Sequence, residues 1–183
     1  IELPPPTFDD GTRERFKEGV GALSQGDVTA AEKAFRDVIR MNDRAAYAWT
    51  NLGVLAERRG DVAEAEACYR KALKLDETQD TAWDFLTRLR CRQGPARCTQ
   101  AEGELRAAVA RNPGQIGPRN ALVYSLLAQG KLDPALAEAK KVLKADERNV
   151  RAMQLLALVY FRESKTELAR LVLENARTID PGD

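Results

Sequence analysis

The sequence contains no histidine at all, and that absence removes the commonest general base and the commonest metal ligand together. It has 3 cysteines, too few without histidine for a four-ligand tetrahedral metal site. Aromatic residues make up 6 % and no run of about 18 apolar residues occurs, so no segment reads as a membrane span. Charge of either sign is in balance, with 29 Lys and Arg against 28 Asp and Glu. A net charge of +1 gives no field that would draw the chain onto nucleic acid or anionic lipid. Nor is there a Gly-rich phosphate loop behind a strand, or a Ser or Cys with a plausible catalytic partner. The expectation is a protein that is not an enzyme and carries no cofactor.

What is present is a helix-rich composition, 44 % hydrophobic and 31 % charged. The chain opens "IELPPPTFDDG" without an initiating Met, which reads as a stiff Pro-rich lead-in over residues 1–11 and as a product trimmed from a longer precursor.

The stretch "AYAWTNLGVLAERRGDVAEAEACYRKALKLDE" is helical twice over, with a break at "RRGD". Displacing it by 34 residues toward the N-terminus superimposes Gly53, Ala56, Gly60, Ala65, Tyr69 and Ala72 on Gly19, Ala22, Gly26, Ala31, Phe35 and Val38. Displacing it forward sets Trp83, Leu86 and Gly94 on Trp49, Leu52 and Gly60, after which two extra residues intervene inside "CRQGPARC". The step then resumes through Gly130, Ala135 and Ala139 to Leu156, Ala157, Tyr160, Ala169, Leu173, Ala176 and Pro181. Five units result: 12–45, 46–79, 80–115, 116–149 and 150–183. Each is a pair of helices, A then B, joined at Gly26-Asp27, Gly60-Asp61, Gly130-Lys131 or Ser164-Lys165. Gly supplies the left-handed residue that ends a helix, and Asp caps the next. A hairpin this short cannot bury its apolar face alone, so the units must pack on one another.

A period of 34 carrying W-x2-L-G-x2-Y, A-x3-F and P resembles the tetratricopeptide repeat family, over nearly the whole chain. The second unit fits best, with Trp49, Leu52, Gly53, Ala56, Ala65 and Tyr69. The first departs at Arg15 and Glu18, the fourth at Arg119 and Val123. The resemblance implies an all-α, right-handed α-solenoid of five helical hairpins. It also implies a groove, lined by the A helices, that holds a peptide or protein partner, while the charge balance argues against nucleic acid as a ligand.

Carried onto this chain, the family's groove positions imply Phe16 and Val20 in the first unit, and Tyr47, Asn51, Val54 and Arg58 in the second. They imply Asp84, Arg88 and Arg92 in the third, Asn120, Tyr124 and Leu127 in the fourth, and Arg151, Leu158, Phe161 and Arg162 in the fifth. The ends of this set are apolar and its middle is rich in guanidinium, which suits a ligand with apolar anchors around an acidic or polar centre. A plain solvated face is the competing reading of the same arginines. The family's dicarboxylate clamp for chaperone tails is not matched: its positions fall on Phe16, Val20, Asn51, Thr81 and Phe85, of which only Asn51 fits.

Cys91 and Cys98 bracket the irregular turn and read as a disulfide, with three reduced thiols as the alternative. A bond would indicate an oxidising compartment, here a bacterial periplasm or outer-membrane attachment in preference to cytoplasm. Cys68 reads as a packing residue. The family also includes short lipoproteins of the bacterial envelope, pilotins and parts of pilus or gliding-motility machines. The resemblance therefore implies a scaffold or adaptor in such a setting. The rival is an assembly subunit that dimerises through its last repeat, where "ARTIDPGD" follows the fifth B helix without a polar cap and leaves Leu168, Leu171, Val172 and Ile179 to face a partner.

Overall fold

Gly26, Gly60 and Gly130 all adopt positive φ, at +80°, +80° and +72°, and Ser164 does the same at +62°. Each ends an A helix, and the residue after it donates its N–H five residues back: Asp27 to Ala22, Asp61 to Ala56, Lys131 to Leu126 and Lys165 to Tyr160, at 2.8–2.9 Å. This is the Schellman closure, in which a left-handed residue lets the chain turn back and satisfies a carbonyl that the helix leaves open. Asp27 and Asp61 then cap the following helices, accepting from the N–H groups of Ala30 and Glu64 at 2.9 Å. Four hairpins arise from one local device.

The computed structural model describes residues 9–180, and among them are ten α-helices and no strand. They are α1 (Asp10–Ser24), α2 (Val28–Met41), α3 (Ala46–Arg58), α4 (Val62–Leu75) and α5 (Asp80–Arg92). There follow α6 (Pro95–Arg111), α7 (Ile116–Ala128), α8 (Leu132–Ala145), α9 (Val150–Arg162) and α10 (Thr166–Ile179). The fold is all-α. The Pro-rich lead-in lies outside the described residues except at its end, where the helix starts earlier than the sequence suggests. Asp9 accepts from the Thr12 N–H at 2.9 Å and from its hydroxyl at 2.6 Å, and so draws Asp10 and Gly11 into α1. Pro181 also lies outside the described residues.

The chain divides into two compact units at Leu86/Thr87, within α5. In the first, α1 packs on α2, α2 on α3 and α3 on α4. The core holds Phe16, Leu23, Phe35, Val38, Leu52 and Leu55, each buried. Burying each such side chain stabilises by about 1.5–3 kcal/mol. The Phe16 and Phe35 rings meet at 5.5 Å. Gly19 and Gly53 let the helices of a hairpin close together: a Cβ would lie 2.8 Å from the Phe35 ring at Gly19 and 2.5 Å from the Tyr69 ring at Gly53.

In the second unit α6 packs on α7, α7 on α8, α8 on α9 and α9 on α10. Its first turn is the exception among the five hairpins. Pro95 stands where the other turns have their N–H donor, so the Schellman bond cannot form there. Gly94 takes φ +123° instead, α6 begins at once with Pro95, and Cys91 is bonded to Cys98 with the Cα atoms 4.1 Å apart. The two extra residues do not enlarge the loop; they lengthen α6 to 17 residues.

Candidate functional site

The ninth residue of successive A helices is Arg88 on α5, Tyr124 on α7 and Leu158 on α9, a row set by the repeat itself. In the second unit these three line one hollow of about 350 Å³, with Arg151, Gln154, Leu155, Ala157 and Phe161 beside them and Ala169 and Leu173 of α10 closing it. The Arg88 guanidinium lies over the Tyr124 ring, 5.4 Å from its centroid. That cation–π contact holds the guanidinium beside the ring. Phe161 is 61 % exposed and Leu173 48 %, large values for apolar side chains on a packed helix. Among the described residues the lining carries two guanidinium groups and no carboxylate.

Five of the residues implied by the family resemblance thus come together here: Arg88, Tyr124, Arg151, Leu158 and Phe161. Val54 and Arg58 line a smaller hollow of about 240 Å³ in the first unit, with Glu57, Tyr69 and Phe85. Its floor is fixed, because the Tyr69 hydroxyl donates to Glu57 at 3.0 Å. Val20 and Tyr47 are half-buried against the first core, Asp84 is half-buried, and Arg92 and Arg162 are exposed; none of the five lines either hollow.

Four expected groove residues are instead inside the packing. Phe16 is fully buried against Phe35. Asn51 is buried, its side-chain amide donating to the Tyr47 carbonyl at 2.8 Å. Asn120 is buried and donates to Asn149 Oδ1 at 3.2 Å; that same oxygen accepts from the Ala152 N–H at 2.9 Å and caps α9. Thr50 and Gln79 form the equivalent pair one hairpin apart in the first unit. These polar side chains tie one hairpin to the next. Leu127 is 4 % exposed and belongs to the core. Conversely, Ala157, Ala169 and Leu173, expected to be packing residues, and Leu155 contribute to the hollow.

A larger hollow of about 580 Å³ lies elsewhere, among Thr29, Glu32, Lys33, Arg36, Ile39, Arg40 and Trp49. Its cations are mostly spent within the fold. Arg36 pairs with Glu32 and Glu64 at 2.7 and 3.3 Å, Arg40 pairs with Asp37, and Arg59 bridges Glu32 and Glu64 at 2.6 and 2.7 Å. None of the expected groove residues lines it.

The strongest buried electrostatics belong to the scaffold. Burial alone would push the Glu102 carboxyl up, but hydrogen bonds from Lys131, Arg106 and Gln129 outweigh it and hold the group at about 2. Lys131 and Gln129 reach it at 2.7 and 2.8 Å, linking α6 to the α7–α8 turn. Arg90, 1 % exposed, donates to Glu104 at 2.6 Å across the disulfide-bearing turn. Cys68 is free and buried; burial, then the charge of Glu64, push its thiol up to about 11, so it stays protonated and unreactive. Among the described residues no cluster of potential metal ligands occurs, and no helix is long and apolar enough to cross a membrane.

The tetratricopeptide repeat family model matches residues 16–80 and 120–183, well over half of the sequence. The chain belongs to the tetratricopeptide repeat family. Solved structures agree on the fold. A thermophilic tetratricopeptide protein of Thermus thermophilus, TTC0263, superposes with a TM-score of 0.74 at 19 % identity, covering 94 % of this chain and 93 % of that one. PilW, described as a widely conserved type IV pilus biogenesis factor, gives 0.65 at 15 % identity over 94 % of this chain and 79 % of its own. YrrB, described as having an unusual peptide-binding site, gives 0.51 at 20 % identity over 92 % and 86 %. No curated protein sequence is a significant match. At these identities the tetratricopeptide likeness is one of fold.

Proposed function

We propose that this tetratricopeptide chain is a non-catalytic scaffold or adaptor that holds a segment of a partner protein against its A helices. One observation carries the reading: the hollow of the second unit gathers five groove residues and leaves Leu158, Phe161 and Leu173 exposed around it. Apolar side chains collected in a concave site with a few polar groups at its edge are what a protein ligand uses for affinity and orientation. The setting we favour is a bacterial cell-envelope assembly or motility machine, in the periplasm or attached to the outer membrane. The Cys91–Cys98 bond supports it, since such bonds persist in oxidising compartments.

Site-specific photo-crosslinking tests the adaptor reading. A crosslinker at Phe161 should capture a discrete partner from its source extract, and one at Lys33, beside the other hollow, should not. Equal capture from both positions would overturn it. The second reading is an assembly subunit that pairs through its last hairpin, as a pilotin-like homodimer would. It is supported by Leu168 and Leu171 on α10, which are 46 % and 53 % exposed and lie outside the hollow. Sedimentation over a range of concentrations separates the two, because only the second demands self-association that Leu171→Glu abolishes.

A further inference from the structure

We infer that the segment held in the second-unit hollow is an acidic–apolar one, with a Leu- or Phe-type side chain against Leu158, Phe161 and Leu173 and a neighbouring carboxylate on Arg88 or Arg151. This rests on the reading of the hollow as a partner site and specifies the chemistry of its occupant. The argument begins with charge. Among the described residues the lining holds two guanidinium groups and no acidic residue, so its net charge is positive. A guanidinium presents five N–H donors in a planar fork, so it can take a ligand carboxylate while keeping an intramolecular contact. Arg88 is the better placed of the two, its guanidinium held 5.4 Å from the centroid of the Tyr124 ring. A guanidinium already held in place loses less entropy when a carboxylate docks on it.

The apolar half of the argument comes from exposure. Phe161, Leu173 and Leu158 sit at 61, 48 and 37 % in one hollow of about 350 Å³, at the small end of the range for ligand pockets. That size suits one or two side chains of an extended segment rather than a folded element. A purely apolar ligand would not answer the positive charge of the lining, and a polyanion would not answer its apolar side chains. Only a segment that alternates the two chemistries uses both.

The probe is a fluorescein-labelled peptide, Ser-Gly-Leu-Glu-Phe-Glu-Gly-Ser, titrated with the full chain by fluorescence anisotropy. We expect saturable binding that weakens at least about fivefold when both Glu are changed to Gln, and by a similar factor when Leu and Phe are changed to Ser. Phe161→Ala and Arg151→Gln should each weaken the parent peptide by about the same factor, and Lys33→Gln should leave it unchanged. Arg88→Gln is scored only with its circular dichroism matched to the parent chain; Phe161 is exposed enough that its truncation leaves the fold intact. Equal affinity for the Glu and Gln peptides, no binding of either, or tighter binding of an oligothymidylate of equal charge would each overturn the inference. In those cases selective crosslinking from Phe161 would still stand or fall separately, so failure of the ligand chemistry is distinguishable from failure of the site.

Discussion

In an ordinary helix, replacing glycine by alanine stabilises by about 1 kcal/mol, because the chain loses less backbone freedom on folding. At Gly53 the sign should reverse. An added Cβ would stand 2.5 Å from one carbon of the Tyr69 ring and 2.7 Å from the next, closer than atoms pack. The ring has nowhere to go. It is fully buried, its hydroxyl is held by Glu57 at 3.0 Å, and it stacks on Phe85 with centroids 5.7 Å apart. Overpacking one methyl group into such a site costs about 1–3 kcal/mol. With the contact so short the upper part of that range applies, and subtracting the helical gain leaves a net loss of about 1–2 kcal/mol. Gly103 in α6 is the internal control, since a Cβ there meets nothing within 4 Å. Gly103→Ala should gain about 0.5–1 kcal/mol. Urea unfolding followed by far-ultraviolet circular dichroism reads both. At a slope of about 2 kcal/mol per molar, Gly53→Ala lowers the midpoint by about 0.5–1 M and Gly103→Ala raises it. Midpoints are the quantity to compare, because repeats that contact only their neighbours need not unfold in one step. In the double variant Gly53→Ala/Tyr69→Leu most of the loss due to the alanine should vanish. A Gly53→Ala midpoint that rises along with Gly103→Ala would refute the clamped-ring account of the hairpin.

Reduction of Cys91–Cys98, or Cys91→Ser, should cost about 2–3 kcal/mol on the chain-entropy estimate for so short a loop, read as a lower thermal midpoint in reductant; an unchanged melt would show that the turn needs no covalent closure. Glu102 should make stability fall in acid. Its carboxyl titrates at about 2 in the fold against about 4.5 when unfolded, so its contribution is complete above about 4.5 and is lost as the pH drops toward 2. Lys131 and Arg106 are themselves about half exposed and solvent-screened, which limits the effect to about 1–2 kcal/mol. Glu102→Gln should flatten that acid limb; an unaltered limb would show that other carboxylates set it.

The hairpins were legible because their signals are local. Glycine before a capping aspartate, and small residues opposite bulky ones, specify a turn and a close helix pair without reference to anything distant. The same logic located Leu86, which is 3 % exposed. The groove was only partly legible because exposure depends on neighbours. Arg88, Tyr124 and Leu158 share one register position and so fell into a row that repeat arithmetic exposes. Asn120 shares a position with Thr50 and Phe16, yet the first two bond to the next hairpin's junction and the third fills the core, outcomes decided by Asn149, Gln79 and Phe35. No pattern of spacing within a single unit carries that information. The third turn shows the reverse case: Pro95 was visible in the sequence, and its missing N–H explains why this hairpin departs from the Schellman closure used by the others.

Leu105 and Leu173 make the dependence on neighbours explicit. They occupy equivalent places on their B helices, those of Phe35 and Tyr69, whose rings face Gly19 and Gly53; the corresponding A-helix residues here are Thr87 and Ala157. Yet Leu105 is 1 % exposed and Leu173 is 48 % exposed. The facing residue does not explain this, since the smaller alanine leaves more room. For Leu105 the next hairpin does, because α7 packs on α6. Leu173 lines the hollow and shares α10 with Leu168 and Leu171, so it is where the adaptor and assembly readings meet. An occupant of the hollow covers Leu173 and leaves Leu168 and Leu171 in solvent, since neither lines it. A second copy packed along α10 must cover those two, so the pattern of protection across these three leucines decides which surface the protein uses.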